Sequence, residues 1–288
     1  MEMKNNNTRH DNKRNENRND ESAKPEILEQ GDIYFFYRPK VRTEEVKSID
    51  DIRRFFIVTA AEEQRVENKT EKRSHLYRLI VVGKKSLPEI RKSEARRSER
   101  YWARVGGIFE DSKELTKELL SDEFRQGDVA RPVGEGKYAI IKKNQNHAEL
   151  AYILEMPKEP GEAQKELGIE KEASYIITVI NPKNPVPQGY PSAEQPPKYP
   201  ESILKQFNES ENFVSLARNI HYIDYQDAQI ILIGAREGRD IIKKEIGIEI
   251  EDINEKENQG SSTADIFTDL RIRKEQVPIK PLIEGKLE

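Results

Sequence analysis

The apolar residues of this chain come in short bursts, β-branched and aromatic, separated by long charged stretches. Gly31 to Pro39 reads as a strand that opens at a Gly turn and stops at Pro. Arg54 to Thr59 and Leu76 to Val82 follow as strands, with Ala61 to Arg73 as a long exposed hairpin loop between them and Gly83 ending the third. Lys84 to Arg100 is expected to be part helix and part loop. Tyr101 to Val105 then resumes as a strand, broken by Gly106-Gly107. Asp111 to Phe124 places Leu115, Leu119 and Leu120 at helical spacing behind an Asp111-Ser112 cap, which predicts a helix with one buried face.

A second block opens at Gly134. Lys137 to Lys142 and Glu149 to Met156 pair as a hairpin across Asn144-Gln145-Asn146, a turn-forming triplet. A short helix near Glu162 to Leu167 and a returning strand, Ser174 to Ile180, come next. Seven of the fifteen prolines fall between Pro182 and Pro200, which predicts an extended, sheet-free connector before a short helix from Pro200-Glu201-Ser202 to Phe207. Gln229 to Ile233 is the last strong strand. Ala264 to Leu287 alternates Val277, Ile279 and Leu282 with prolines, as an arm lying across a surface would.

One pattern occurs twice. Tyr152-Ile153-Leu154 leads to Gln164 to Glu170, and Ile231-Leu232-Ile233 leads to Lys243 to Glu249, every element offset by 79 residues. Both copies read as strand, charged helix and a Gly stop. An internal duplication would produce this, but convergent use of a common helix ending is the preferred reading, since Gly is the usual residue just past a helix. Strands outnumber helices and run in meanders, so the fold class expected is α+β: predominantly antiparallel β with short helices, and two similar strand-helix-Gly units in the C-terminal half. The organisation expected is a disordered arm over 1–26, an N-terminal β-rich region over 27–130, and a C-terminal α+β region over 131–288 containing the Pro-rich connector 182–200.

Composition changes this picture at the edges. At 288 residues the chain is long enough to bury a sizeable core, but hydrophobic and charged residues stand at 35% each and mean hydropathy is −0.88, so part of the length must be solvated. The first 24 residues, with seven Asn and mixed charges, lack the apolar surface to offset chain entropy. The absence of cysteine removes disulfides, thiolate metal sites and a Cys nucleophile. No run reaches the roughly 18 apolar residues of a membrane helix, and no secretory signal is visible, so a soluble, cytoplasmic protein without membrane contact is the expectation. Net charge is −4, but Lys84 to Arg104 carries eight basic and three acidic residues, whereas Glu245 to Glu288 carries eleven acidic and six basic. One part of the surface is basic and another acidic.

No motif specifies a reaction. His221, Asp224 and Asp227 stand at three-residue intervals, a spacing that would converge on a metal or a water in a helix but diverge in a strand. A solvated turn is the better reading, and His147 beside its hairpin turn reads likewise as a turn residue. Gly134 to Lys137 fails as a phosphate loop because Tyr138 replaces the needed hydroxyl residue and Arg131 the first Gly. Gly234 to Gly238 lacks the dinucleotide fingerprint, and Gly-x-Ser-x-Gly and His-Glu-x-x-His are absent. No cofactor or metal is implied.

The basic segment is the best chemical candidate. Arg91, Arg96, Arg97, Arg100 and Arg104 would neutralise phosphates while Tyr101 and Trp102, the sole Trp, offer stacking faces. Against this, Glu94 and Glu99 suggest helix-surface ion pairs, and aromatics entering a strand more often fill a core. Gly31-Asp32-Ile33 opening an aromatic strand, followed by Arg54 to Thr59 after a charged loop, resembles the first strands of small SH3-like or PUA-like barrels, which include toxin-type endoribonucleases. The likeness covers less than a quarter of the chain, and none of that group's active-site residues maps onto numbered positions here, so it implies no activity. The leading expectation is a non-catalytic binding protein with a protein partner. The alternative is a nucleic-acid-binding or nucleic-acid-processing protein using residues 84–104.

Overall fold

The structure, a computed structural model, describes residues 25–43, 45–62, 76–90, 99–121, 129–191, 195–235 and 266–287. The expected disordered arm, the 61–73 loop tip and the helix and Gly247 of the second repeat copy fall largely or wholly outside these residues. Among the described residues there are nine antiparallel strands: β1 (Glu26–Pro39), β2 (Ile52–Ala61), β3 (Leu76–Val82), β4 (Arg100–Phe109), β5 (Arg131–Asn144), β6 (His147–Met156), β7 (Glu172–Ile180), β8 (Phe213–Ser215) and β9 (Gln229–Ala235). They run in the order β6-β5-β1-β2-β3-β4-β9-β7-β8, and an additional β6–β7 pairing closes eight of them into a barrel. Predominantly antiparallel β with short helices is therefore correct; the closed eight-stranded barrel, at which only the likeness of the first strands to small barrels hinted, goes beyond that expected class. The 130/131 boundary falls between two strands of this one barrel, because β5 pairs with β1.

Closure follows from alternation. A strand sends successive side chains to opposite faces, and here the inward set is nearly all apolar: Ile33, Phe35 and Tyr37 from β1, Phe55 and Ile57 from β2, Ile80 and Val82 from β3, Leu150, Tyr152 and Leu154 from β6. Phe35 packs edge-on to Tyr152 at 5.0 Å and lies parallel to Phe55 at 6.3 Å. Each such buried aromatic contributes about 1.5–3 kcal/mol. Gly106-Gly107 do not break β4. Leu79 pairs with Gly107 and Ile80 with Val105, so Gly106 is the extra residue of a β-bulge that bends the strand.

Outside the barrel, the opposite parity of β1, β2 and β3 turns Tyr34, Phe36, Phe56, Val58 and Leu79 outward, where they are buried in a second core. Helix α1 (Ser112–Leu120) covers part of it with Leu115 and Leu119. Asp111 caps α1 by accepting from the Lys113 N–H at 2.9 Å. At the other end the buried Arg38 guanidinium donates to the Glu118 and Leu119 carbonyls, satisfying groups the helix leaves open. The C-terminal arm covers the rest: α4 (Ile266–Asp269), α5 (Lys280–Ile283) and the segment between them bury Ile266, Leu270, Val277 and Leu282 against the same face.

Helix α2 (Glu162–Glu166) joins arm to barrel. Its buried Gln164 donates to the carbonyls of Val133 and Pro281 and accepts from the Gly161 N–H, so one amide ties β5, α2 and the arm together. The first repeat copy is strand, helix and Gly stop as read, with Leu154 fully buried and Gly168 at φ 68°. A Cβ at Gly168 would also lie 2.9 Å from the Leu87 carbonyl oxygen, so both conformation and space require glycine. The connector is free of strand over 182–191 and 195–200, as expected, and leads into α3 (Glu201–Leu204).

Candidate functional site

Two places hold polar groups that an apolar barrel does not need. The first is one mouth of the barrel. Arg78 shares the inward parity of Ile80 and Val82, so β3 carries a guanidinium into the interior, where it is 2% exposed. Its Nη1 and Nη2 donate to Glu29 Oε1 and Oε2 at 2.7 and 2.8 Å, a bidentate pair with the start of β1. Its Nε and Nη2 donate to Asp224 Oδ1 at 2.8 and 2.5 Å. Tyr138 of β5 donates to Glu29 at 2.8 Å. The remaining Asp224 oxygen faces His221 Nδ1 at 2.6 Å. A row of five side chains therefore runs from a half-exposed imidazole to a fully buried phenol.

The titration of these groups follows from the pairing. Burial alone would lower the Arg78 pKa, but Glu29 and Asp224 outweigh it and hold the guanidinium above its usual value. Burial alone would raise the Asp224 carboxyl; the hydrogen bond from His221 and the Arg78 charge hold it below the ordinary value. Burial, then the Glu29 charge, pushes the Tyr138 phenol well up, so it stays a donor. A second imidazole–carboxylate pair lies on the outer face. Glu149 takes contacts from Ser174 Oγ at 2.5 Å, His147 Nε2 at 2.8 Å and Lys143 Nζ at 2.9 Å. Its burial is outweighed by those bonds, and its pKa falls to about 2.

His221 and Asp224 therefore do converge, because the stretch is a 3₁₀ turn (Ile220–Ile223) and not a strand, and i to i+3 share a face there. Asp227 does not join them. It has φ 68° and pairs with Arg104 Nη1 at 2.5 Å. Among the described residues no group of three His, Asp or Glu stands close enough to hold a metal ion.

The second place is the outer wall of β4 and β9. Here the sequence candidates can be placed. Arg91, Arg96 and Arg97 lie outside the described residues. Tyr101 has the parity of Ala103 and Val105 but lines a cleft beside Leu87 and is buried there, its ring beneath Lys84 Nζ at 4.0 Å, and burial followed by its hydrogen bond to Glu99 raises its pKa. Arg100, Trp102 and Arg104 share the outward parity. Arg104 is neutralised by Asp227, and the exposed Arg100 lies 5.9 Å from the centre of the Phe213 ring. Trp102 is half-buried and lies over Gly83, where a Cβ would meet the indole at 2.5 Å.

Register then brings a residue the sequence reading passed over beside this Trp. Trp102 pairs with Ile231 and Arg104 with Gln229, so Gln229 is the diagonal neighbour of Trp102 on one face. Gln229 is 5% exposed, and among the described residues neither its Nε2 nor its Oε1 has a partner; the shielded Trp102 Nε1 has none there either. Beside Gln229 a cavity of about 130 Å³ separates β9 from the connector. A larger cleft, about 740 Å³, opens between Leu87, Tyr101, Gly168 and Ile169, with five glutamates against two lysines on its walls.

These features define a closed eight-stranded antiparallel barrel with a charged plug in one mouth and a polar, unengaged patch on one outer wall. Comparison with protein-family models, with curated proteins and with solved structures finds no match to the chain. Among the described residues no helix is long and apolar enough to cross a membrane.

Proposed function

We propose that this is a non-catalytic binding protein whose contact surface is the outer wall of β4 and β9. The observation that carries the reading is the pair of unengaged polar side chains on that wall, the Trp102 indole N–H and the Gln229 amide. A shielded polar group without a partner costs about 1–3 kcal/mol, a cost that binding relieves. The acid–base pairs support the same reading. Both carboxylates are already engaged, Asp224 by Arg78 and Glu149 by Lys143 and Ser174, so each pair is more fully used in holding the fold than a reacting pair would be.

The test is comparative capture from the cells that make the protein, using immobilised wild type, Trp102→Ala, Arg100→Glu and His221→Ala. Partners retained by wild type and His221→Ala but lost by both wall variants are expected. Loss with His221→Ala alone would move the site to the mouth.

A second reading, nucleic acid, rests on the exposed Arg100 beside Trp102 on the same outward face. It predicts retention on a nucleic-acid column that falls with salt, and a salt slope shallower by about one in Arg100→Ala. No retention at low salt removes it.

A further inference from the structure

We propose that the cavity between β9 and the proline connector is a binding site for a small neutral cyclic amide, a lactam or imide whose adjacent C=O and N–H pair with the Gln229 side chain. This deepens the wall reading above and rests on it. The walls narrow the choice by what they lack. Pro182, Pro196 and Pro197 have no N–H to offer, and Ile180 and Val186 are apolar. Asn181 and Asn184 also line the space, but their Nδ2 groups already donate to backbone carbonyls: Asn208 and Glu211 for the first, Glu209 and Glu211 for the second. The Gln229 amide is thus the buried side-chain donor and acceptor of the wall that has no partner among the described residues, held 5% exposed.

Three classes of occupant are disfavoured on physical grounds. An ion would enter a space whose lining residues carry no charge, and burying an unpaired charge is costly. A hydrocarbon would fill the space but leave both Gln229 atoms unpaired. A lone donor or acceptor would leave one. A cis-amide edge satisfies both through two parallel hydrogen bonds, the geometry by which a glutamine reads the donor–acceptor edge of adenine. Size agrees: an apolar cavity of about 150 Å³ holds benzene, and about 130 Å³ suits a five- or six-membered ring.

The experiment uses the full chain and 2-pyrrolidone as the probe, followed by the side-chain amide signals of Gln229 and the indole signal of Trp102 in ¹⁵N-resolved NMR. Saturable shifts of the Gln229 amide are expected. N-methyl-2-pyrrolidone, which keeps the ring and carbonyl but not the N–H, should bind about tenfold more weakly, and Gln229→Leu should weaken 2-pyrrolidone similarly while still admitting cyclopentane. Uracil and a uridine oligonucleotide distinguish sources: a free ligand is supported if uracil binds and the oligonucleotide does not. Oligonucleotide binding that shifts the Gln229 amide, without binding of either free ring, would overturn the proposal in favour of a base held in a polymer. Equal binding of the N-methyl analogue, unchanged binding in Gln229→Leu, or no binding by wild type, with water alone at Gln229, would each overturn it too. Partner capture by the Trp102→Ala and Arg100→Glu variants reads the wall independently, so a failed cavity and a failed wall give different results.

Discussion

The barrel mouth and the outer wall treat buried polar groups in opposite ways. At the mouth, Arg78, Glu29, Asp224, Tyr138 and His221 answer one another bond for bond. On the wall, Gln229 and the Trp102 indole answer nothing among the described residues. A group fully matched by its own chain is committed to the fold, and a group left unmatched under the same burial is available to something else. Burial by itself thus says little about role; the count of partners says more.

Substitutions can break that contrast. The largest effect is expected at Arg78, where Arg78→Met would leave two carboxylates without their cation and cost about 3–5 kcal/mol in denaturant unfolding. A loss below about 1 kcal/mol would mean that the mouth is not a closed network. Gln164→Leu should follow, because the Val133 and Pro281 carbonyls and the Gly161 N–H lose one partner together. About 2–3 kcal/mol is expected, with faster amide exchange in the C-terminal arm as the specific sign that the tie has gone.

Acid sharpens the comparison next. The pKa of Glu149 is lowered to about 2, and that of Asp224 is also lowered. Such depressed carboxyls add stability that is complete above the unfolded-state titration near pH 4 and is lost as pH falls toward the folded values. Unfolding midpoints should be level from neutrality to about pH 5 and fall steeply below about pH 4, and Glu149→Gln should make that fall shallower. The wall should behave in the opposite sense. Gln229→Leu removes an unmatched amide and is expected to leave stability unchanged or raise it by up to about 1 kcal/mol. Smallest of all is His221→Ala, a half-exposed partner at the end of the row, at under about 1 kcal/mol.

Much of this was visible in the sequence, and the rest was hidden for identifiable reasons. β1, β2, β3, β7 and β9 stood out because β-branched and aromatic bursts between breakers are a local signal, and so did the connector and the capped helix α1. Three-residue β8 is too short to show a period. Barrel closure was not legible, since the insertion of β9 between β4 and β7 is a matter of distant registers and not of local pattern. Gly106-Gly107 read as a break because an extra residue in a strand and an interruption look alike in letters. At the candidate sites, the turn at His221 and Asp224 is legible, but the buried pairing of Asp224 with Arg78 is not, because it joins residues 146 positions apart. Arg78 did carry a signal: it falls on the parity of Ile80 and Val82, as Glu29 falls on that of Ile33 and Phe35. Gln229 carried none, because an outward Gln at a strand start is ordinary until its register beside Trp102 is known.

The order of strands also sets a timetable. One edge of β4 is covered early by β3, but its other edge waits for β9, more than a hundred residues later in the chain. A growing chain would carry residues 100–105 with one row of unpaired backbone groups until residue 235 had cleared the ribosome. Long-range pairing of this kind slows folding and leaves an edge on which other chains can align. The bulge at Gly106 lies on that waiting edge strand, and a bulge twists an edge away from flat partners. Filling it in, by deleting Gly106, would therefore tell most during synthesis and refolding, as aggregation at high concentration.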